Sequence, residues 1–301
     1  MKRSASWATT FLVLAGCFPP EAERESLVTD PRILAVRSEP PESKPGESVA
    51  YEALVVTPDG ELEGAAVVWA FCAAPKPLTE NGSVSAACLG DAVRPIAGVS
   101  VSVTATTPPD ACSLFGPDTP PGDFRPRDPD ATGGFYQPVR LEALERTAFV
   151  FERITCNLPN APLDVAVELA ARHVPNRNPK LLPLRAFVNG APASLDAMPA
   201  GADVRFEVGW SAEDAEVYPA FDPRKQALVD QREALRVSWY ATAGTFESDV
   251  TGRATDDMGT VVSNAWRAPD EPSRVFLWLV LRDGRGGTDF ARYVLDAGSP
   301  P

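Results

Sequence analysis

The stretch Asp203-Val204-Arg205-Phe206-Glu207-Val208-Gly209-Trp210 alternates along the chain, with apolar side chains at every second position from Val204 to Trp210. Successive side chains on a strand point to opposite faces, so this spacing predicts a strand with one buried and one solvated face. The stretch Leu235-Arg236-Val237-Ser238-Trp239-Tyr240 repeats the pattern. Farther on, apolar runs at 275–281 and 290–295 flank a turn at 282–287, which predicts a C-terminal hairpin.

The first half of the chain carries similar strand signals. Apolar runs at 32–37, 48–56, 67–72 and 147–156 are broken by turn residues such as Pro58-Asp59-Gly60. This spacing is typical of a β-sandwich. The two halves therefore form a loose internal repeat, although any two sandwiches would share such a pattern.

Two segments of the first half depart from this pattern. Residues 73–138 are rich in Pro, Gly and Asp, with one predicted strand at 98–104. A stretch this long without structure is unusual in a compact domain, so disulfides are expected to order it. Residues 162–173 are the best helix candidate, with Asn160 as a cap and Pro175 beyond the end.

Apart from Cys17, the chain has four cysteines, all before residue 160: Cys72, Cys88, Cys112 and Cys156. An even number in an exported chain predicts two disulfides, for which three pairings exist. Cys72–Cys88 with Cys112–Cys156 is favoured, because close spacing makes the first pair easy to form. A zinc site is the rival interpretation, but the CxxC-like spacing that it needs is missing.

The second half also carries a family resemblance. Val237-Ser238-Trp239-Tyr240 places a Trp on a central strand, and Leu281-Arg282 leads into the turn Asp283-Gly284-Arg285-Gly286-Gly287. In these features residues 178–296 resemble bacterial immunoglobulin-like or PKD/cadherin-like extracellular modules. The first half shares only the opening strands, and its Cys-bearing stretch departs from that family. The whole chain is similar in style to immunoglobulin-like lipoproteins predicted in myxobacteria.

The resulting expectation is an all-β chain with two immunoglobulin-like β-sandwich domains in tandem. The first, residues 31–176, carries a disulfide-pinned insertion and a short α-helix. The second covers residues 177–297. The resemblance is informative about fold and says little about function.

The N-terminus predicts export. Met1-Lys2-Arg3 is basic, and the apolar stretch 7–16 is far shorter than the roughly 20 residues that span a bilayer. It ends in Leu14-Ala15-Gly16-Cys17, which resembles the bacterial lipobox. The resemblance implies a signal peptide at 1–16, lipid attachment at Cys17 and a membrane anchor. The alternative is an ordinary signal peptide with an incidental thiol at Cys17.

Charge and sorting signals refine this location. Without the leader, 26 basic residues face 41 acidic ones, a net charge of −15, which disfavours nucleic acid as a partner. Residues 17–30 are acidic and contain prolines, so we expect a solvated tether. Phe18 after the lipidated cysteine suggests the outer membrane, by analogy with the sorting rule of enteric bacteria. The sequence leaves open which face of that membrane the protein occupies.

Catalytic motifs are scarce. His173 is the only histidine, so HExxH proteases and multi-histidine metal centres are excluded, and no GxSxG elbow or P-loop occurs. We expect His173 to be a helix C-terminal residue. The leading prediction is a non-enzymatic binding or scaffolding module whose partner is another envelope protein or a polysaccharide. The alternative is a carboxylate-based extracellular hydrolase such as a glycosidase.

One acidic cluster could hold a cation. Asp118, Asp123, Asp128 and Asp130 precede Thr132-Gly133-Gly134, and calcium prefers closely spaced carboxylates in such loops. The spacing misses the EF-hand rule and three prolines stiffen the loop, so a solvated acidic loop is the competing interpretation. Calcium is the only cofactor that the sequence suggests. The neighbouring Phe135 and Tyr136 either pin this loop or form a sugar or protein contact.

Overall fold

The computed structural model describes residues 24–77, 79–118, 131–158 and 161–298. The first group of strands comprises β1 Arg32–Glu39, β2 Glu42–Ser43, β3 Ser48–Thr57, β4 Gly60–Glu61, β5 Val68–Cys72, β6 Val93–Val99, β7 Ser102–Thr106, β8 Gly134–Ala143 and β9 Arg146–Thr155. The helices are α1 Ala111–Leu114 and α2 Leu163–Arg172, with single 3₁₀ turns at Ala86–Leu89 and Ala212–Asp214. The second group comprises β10 Arg185–Val188, β11 Ala191–Ala193, β12 Asp203–Gly209, β13 Val217–Asp222, β14 Ala227–Arg232, β15 Leu235–Ala241, β16 Thr245–Phe246, β17 Val250–Arg253, β18 Val261–Arg267, β19 Ser273–Arg282 and β20 Thr288–Ala297.

Each group forms a sandwich of two sheets. In the first sandwich, β3 pairs with β1, β4 and β7, and the facing sheet has the order β2-β9-β8-β5-β6. In the second, the orders are β11-β10-β12-β18-β16 and β17-β15-β19-β20. The β13-β14 hairpin stands apart as a two-stranded sheet.

The two sandwiches share one topology. After the first strand, the chain crosses to the opposite sheet and pairs in parallel with the last strand of the sandwich. β2 pairs in this way with β9, and Met198 pairs with Ala297. Trp69 in β5 and Trp239 in β15 occupy equivalent central strands and are fully buried. The chain is therefore all-β, with two immunoglobulin-like sandwiches in tandem.

Aromatic side chains dominate both cores. In the first, the rings of Tyr51 and Trp69 lie 5.8 Å apart. In the second, Phe206 lies 6.4 Å from Trp239 and 5.7 Å from Trp266. Each such ring buries a large apolar area, so truncating one to alanine costs about 3–5 kcal/mol of folding free energy.

The two sandwiches also pack face to face. β3 sends Val55 into the first core and Leu54 and Val56 toward the second sandwich. β19 sends Leu279 into the second core, whereas Trp278 packs against that same surface of β3. The molecule is therefore a stack of four sheets. The β3 and β19 sheets form the inner layers, and the β8 and β12 sheets form the outer layers.

The stack has two unlike ends. One end, here called the plain end, carries the tight β8–β9 turn, the β10–β11 turn and the loop between β15 and β16. The other, here called the elaborated end, carries the long connections between β5 and β6, β7 and β8, and β9 and β10, together with the β13-β14 hairpin. The strand registers show which end is which. Val68, at the start of β5, pairs with Glu142 beside the β8–β9 turn. Cys72, at the other end of β5, therefore lies at the elaborated end, together with the β5–β6 connection that follows it.

The structure of the residues before β1 differs from the predicted tether at residues 17–30. The proposed tether does not extend to residue 30, because residues 24–30 pack on the plain end of the second sandwich. The Val28 amide donates to the Ala241 carbonyl at 2.9 Å, and Arg24 Nη1 donates to the Phe246 carbonyl at 2.8 Å. Ser26 and Val28 are 3% and 1% exposed. Residues 17–23 lie outside the described part of the chain.

The predicted strand at 98–104 is also wrong. It divides into β6, which ends at Val99, and β7, which begins at Ser102, and these strands belong to different sheets. Gly98 has a φ of 106°, a left-handed conformation that lets the chain leave the first sheet. The predicted helix is present as α2, with Pro162 at its N-terminal boundary. Asn160, the expected cap, lies outside the described residues.

Candidate functional site

The elaborated end contains a buried cluster of charged residues between the two sandwiches. It is here called the junction cluster, and it comprises Glu42, Arg153, His173, Asn176, Glu216, Glu233, Asp283 and Arg285. β2 and β9 of the first sandwich supply Glu42 and Arg153, and the C-terminal end of α2 supplies His173. The other acids flank the β13-β14 hairpin or lie in the β19–β20 turn. Residues far apart in the sequence therefore meet at one point.

Arg285 is the centre of the cluster. Its Nε donates to Glu233 at 2.6 Å, its Nη2 to Glu216 at 2.8 Å, and its Nη1 to the Val174 carbonyl at 2.9 Å. The side chain is 3% exposed, and its guanidinium carbon lies 4.4 Å from the centre of the Tyr218 ring. A planar guanidinium can satisfy several fixed acceptors at once, which a lysine cannot do.

The β19–β20 turn holds Arg285 in place through Asp283. The Asp283 carboxylate accepts the amides of Arg285, Gly286 and Gly287 at 2.7–2.8 Å. Asn176 Nδ2 donates to the same carboxylate at 3.2 Å. A Cβ at position 287 would lie 2.1 Å from Asp283 Oδ2, so only glycine fits there.

Glu42 forms the first-sandwich half of the cluster. It accepts the Asn176 amide at 2.9 Å and the Thr155 hydroxyl at 2.8 Å. Arg153 Nε lies 3.3 Å from one of its oxygens, and His173 Nε2 lies 3.4 Å from the other. His173 thus ends α2, as predicted, and its ring is directed at a buried carboxylate.

Burial and partners shift the titration of these groups in different directions. Burial, reinforced by Asp283, raises the pKa of Glu233 to about 7. Burial also raises the pKa of Asp283. For Glu42, burial opposes ionisation, but Arg153, the Asn176 amide, the Thr155 hydroxyl and His173 together more than offset it and hold the pKa of that carboxyl below its usual value. Burial lowers the pKa of His173, and Glu42 counteracts part of that effect.

A second buried acid, Glu152, lies inside the first sandwich near the same end. It is 1% exposed, and its carboxyl is close to the Ser38 and Ser43 hydroxyls. Burial raises the pKa of Glu152 to about 8, and the nearby charge of Glu42 adds to that shift. Glu152 is therefore mostly protonated at neutral pH.

The arrangement of the junction cluster suits a structural lock. Its two most buried cations, Arg153 and Arg285, face carboxylates, and its acids accept backbone amides. Three surface clefts of about 330, 340 and 400 Å³ are lined by described residues, and none of the three includes a junction-cluster acid. Glycoside hydrolysis requires two carboxyl groups on either side of an accessible sugar, and these buried acids lack that access.

The structure places the predicted site residues as follows. Disulfides join Cys72 to Cys88 and Cys112 to Cys156, which is the favoured pairing. Cys17 lies outside the described residues, so its lipidation stays a prediction. In the described ranges, no helix is long and apolar enough to cross a membrane.

The calcium prediction also concerns residues that the structure describes only in part. Asp118 accepts Asn157 Nδ2 at 3.2 Å, whereas Asp123, Asp128 and Asp130 lie outside the described ranges. Among the residues that the structure describes, no three His, Cys, Asp or Glu side chains are arranged to hold a metal ion. Calcium binding by this loop stays a prediction.

The sequence did not reveal the junction cluster. Arg285 lies in a hairpin turn, and its partners Glu216 and Glu233 are 69 and 52 residues away in the sequence. The β13-β14 hairpin was missed as well. Its signal was present in Val217-Tyr218-Pro219-Ala220-Phe221, an apolar run followed by Asp222-Pro223, which favours a turn.

The likeness of this chain to known proteins lies in its structure. No family model matches the chain, and no curated protein matches it in sequence. The D00-D0 domain of intimin matches at 9% identity and a TM-score of 0.25, over 89% of this chain and 98% of that one. The Yersinia pseudotuberculosis adhesin InvE matches at 7% identity and a TM-score of 0.23, over 87% of this chain and 58% of that one. Domains 4 and 5 of the S-layer protein SbsC match at 7% identity and a TM-score of 0.21, over 88% and 98%. At these values the fold assignment rests on the strand pairing of this chain itself.

Proposed function

We propose that this chain is a non-enzymatic, lipid-anchored protein of the outer membrane that acts as a binding or scaffolding module. The supporting observation is the separation of its two ends. The described chain starts at Arg24, on the plain end, whereas the long connections lie at the elaborated end. An anchor at Cys17 would therefore hold the plain end toward the membrane and the elaborated end away from it.

The distance to the membrane would be short. Cys17 and Arg24 are seven positions apart. A fully extended chain spans at most about 3.6 Å per residue, or about 25 Å in all. The strands of the stack add roughly 30 Å along the long direction of the molecule. The elaborated end is then presented at a set height above the bilayer, which suits contact with another envelope component.

The burial of the acids whose pKa is raised most supports the non-enzymatic assignment over the hydrolase. The acids with the most strongly raised pKa values, Glu152 and Glu233, are 1% and 2% exposed and serve internal contacts. Buried groups of this kind stabilise a fold without reaching a substrate.

Accessibility labelling tests the anchored orientation. Single cysteines replace Lys225, in the β13–β14 turn, or Asp270, beside the N-terminal segment. With Cys17 intact and the protein in vesicles, a bulky maleimide should label Lys225→Cys much faster than Asp270→Cys. A Cys17→Ala background should release the protein and equalise the two rates. Equal rates with Cys17 intact would refute the orientation.

Calcium binding by the acidic loop is a separate part of the proposal. Isothermal titration should show calcium-dependent heat for the natural chain and none for a variant with Asp123, Asp128 and Asp130 changed to asparagine. A natural chain that shows neither heat nor a thermal shift with calcium would leave only the solvated-loop interpretation.

A further inference from the structure

The two outermost faces of the four-sheet stack have opposite chemical character. On the β12 sheet, the outward side chains form ion pairs: Arg185 with Glu207 at 2.9 Å, and Arg267 with Asp203 at 3.3 Å. Arg205 also pairs with Glu207 and covers the ring of Phe187, 4.3 Å from its centre. This is an ordinary solvated sheet face, and it provides an internal reference for the other one.

The opposite face, on the β8 sheet, carries exposed apolar side chains around one ion pair, Arg140 with Glu142 at 3.4 Å. Alternation along β9 sends Val150 and Ile154 inward, so Phe149 and Phe151 point outward. The same rule directs Tyr136 of β8 outward. We call this surface the outer apolar face, and it consists of Val68, Leu89, Val99, Tyr136, Phe149 and Phe151.

The exposure of these side chains is large for their type. Tyr136 and Phe151 are 40% and 39% exposed, and Leu89 and Val99 are 61% and 63% exposed. Val68 lies directly opposite Val99 in the sheet and is 43% exposed. Tyr136 and Phe151 contact each other, and Phe149 shares their face of β9. Neighbouring exposed apolar side chains of this kind typically mark a contact surface, whereas scattered single residues do not.

The face is held rigidly. The rings of Tyr136 and Phe151 meet edge to face, with centroids 6.5 Å apart. Arg140, which lies opposite Phe149 in the sheet, donates to the carbonyls of Cys88, Leu89 and Gly90 at 2.8–3.3 Å. The Cys72–Cys88 disulfide closes the same loop. Binding would therefore lose little side-chain or loop entropy, which favours affinity.

The charges around the face indicate the chemistry of the partner. Exposed Asp91 and Glu145 border it. Arg140 pairs with Glu142 within the face at 3.4 Å, and Arg153 is engaged inside the molecule. Arg146 at this border pairs with Asp30. The border is thus acidic overall, and a partner with a basic rim would complement it.

We propose that the outer apolar face is the docking surface for a second envelope protein, whose contact face has an apolar centre and a Lys- and Arg-rich rim. The face runs along the side of the stack between its two ends. The lateral position relative to the membrane rests on the proposed function, but the docking itself does not require the lipid. Aromatic side chains at the centre of such a surface usually carry most of the binding energy.

Site-specific photocrosslinking in the native envelope, with the full-length chain, identifies the partner. A crosslinker at Thr147 borders the outer apolar face, and a matched one at Ser263 lies on the reference face of β18. A defined protein adduct should form from Thr147 and not from Ser263. Adducts only to polysaccharide, equal adducts from both positions, or no adduct from Thr147 would overturn the proposal.

Affinity measurements with the purified partner then test the residues. Phe151→Ala and Tyr136→Ala should each weaken binding at least about tenfold. Phe187→Ala, a matched ring on the reference face, should leave binding unchanged. Rising salt should weaken binding to the natural chain. Thermal unfolding of each variant distinguishes lost binding from lost folding, and unchanged affinity in a folded Phe151→Ala protein would contradict the proposal.

The Cys17→Ala variant should retain this affinity for the partner. A failed lipid anchor and a failed docking surface therefore give different results.

Discussion

Arg285 lies between the two sandwiches: it pairs with Glu216 and Glu233 of the second, and its Nη1 lies 3.9 Å from Glu42 of the first. Changing Arg285 to Met would leave Glu233 buried beside an apolar side chain, whereas Glu216 would keep its ion pair with Arg177 at 2.5 Å. Breaking a buried ion pair in this way typically costs about 3–5 kcal/mol, so we expect a loss of that size in the free energy of unfolding. Chemical denaturation measures it. Arg236→Met, at an exposed position on β15, should cost less than about 0.5 kcal/mol, and equal losses in both variants would contradict this role.

Glu152 should make stability depend on pH. The pKa of Glu152 is about 8 in the folded protein and ordinarily 4.5, so the folded state binds more protons between those values. The free energy of unfolding therefore falls as pH rises through this window and levels off above it. Denaturation at a series of pH values should show a shallower fall for Glu152→Gln. The exposed Glu63→Gln variant should keep the natural slope, and an unchanged slope in Glu152→Gln would show that this carboxyl ionises normally.

The pairing of side chains was predictable from the sequence where the possible partners are close in the chain or few in number. Four cysteines allow only three pairings, and the favoured one is present. Arg285 and Glu216 could not be paired in advance, because the chain contains 28 basic and 41 acidic residues and nothing local links these two. Tertiary packing alone selects that pair.

The two disulfides should contribute unequally to the stability of the first sandwich. Cys112–Cys156 joins residues 44 positions apart and Cys72–Cys88 joins residues 16 apart. On the loop-entropy model their removal costs about 4 and about 3 kcal/mol respectively. Guanidinium unfolding of the two double-alanine variants, without reductant, measures both losses. A greater loss for the shorter loop would show that native contacts, and not chain entropy, dominate.

Strands with one buried face were predictable, and breaks in pairing were not. β12 follows the two-residue alternation from Val204 to Val208, so its pattern alone identified it. Residues 98–104 alternate equally well, yet the chain changes sheets at residues 100–101 within that run. Alternation reports exposure along a strand and carries no information on which neighbour the strand pairs with.

The face-to-face stacking of the sandwiches corresponds to a feature of the sequence other than alternation. β19 contains Val275-Phe276-Leu277-Trp278-Leu279-Val280-Leu281, a continuous apolar run. A run of this kind is consistent with a strand that is buried on both faces. Leu54-Val55-Val56 in β3 is the matching run in the first sandwich. The two runs together indicated an interface, but a tandem arrangement of domains is also compatible with end-to-end contacts, so the sequence could not specify the stack.

Small-angle X-ray scattering of the chain from residue 18 onward tests the stacking most directly. If the sandwiches pack through Trp278 and Leu54, the molecule is a single compact body, with a radius of gyration of about 19 Å for a chain of this length. The pair-distance distribution should then have one maximum. A clearly larger radius with two maxima, as expected for sandwiches joined end to end, would contradict the face-to-face stack.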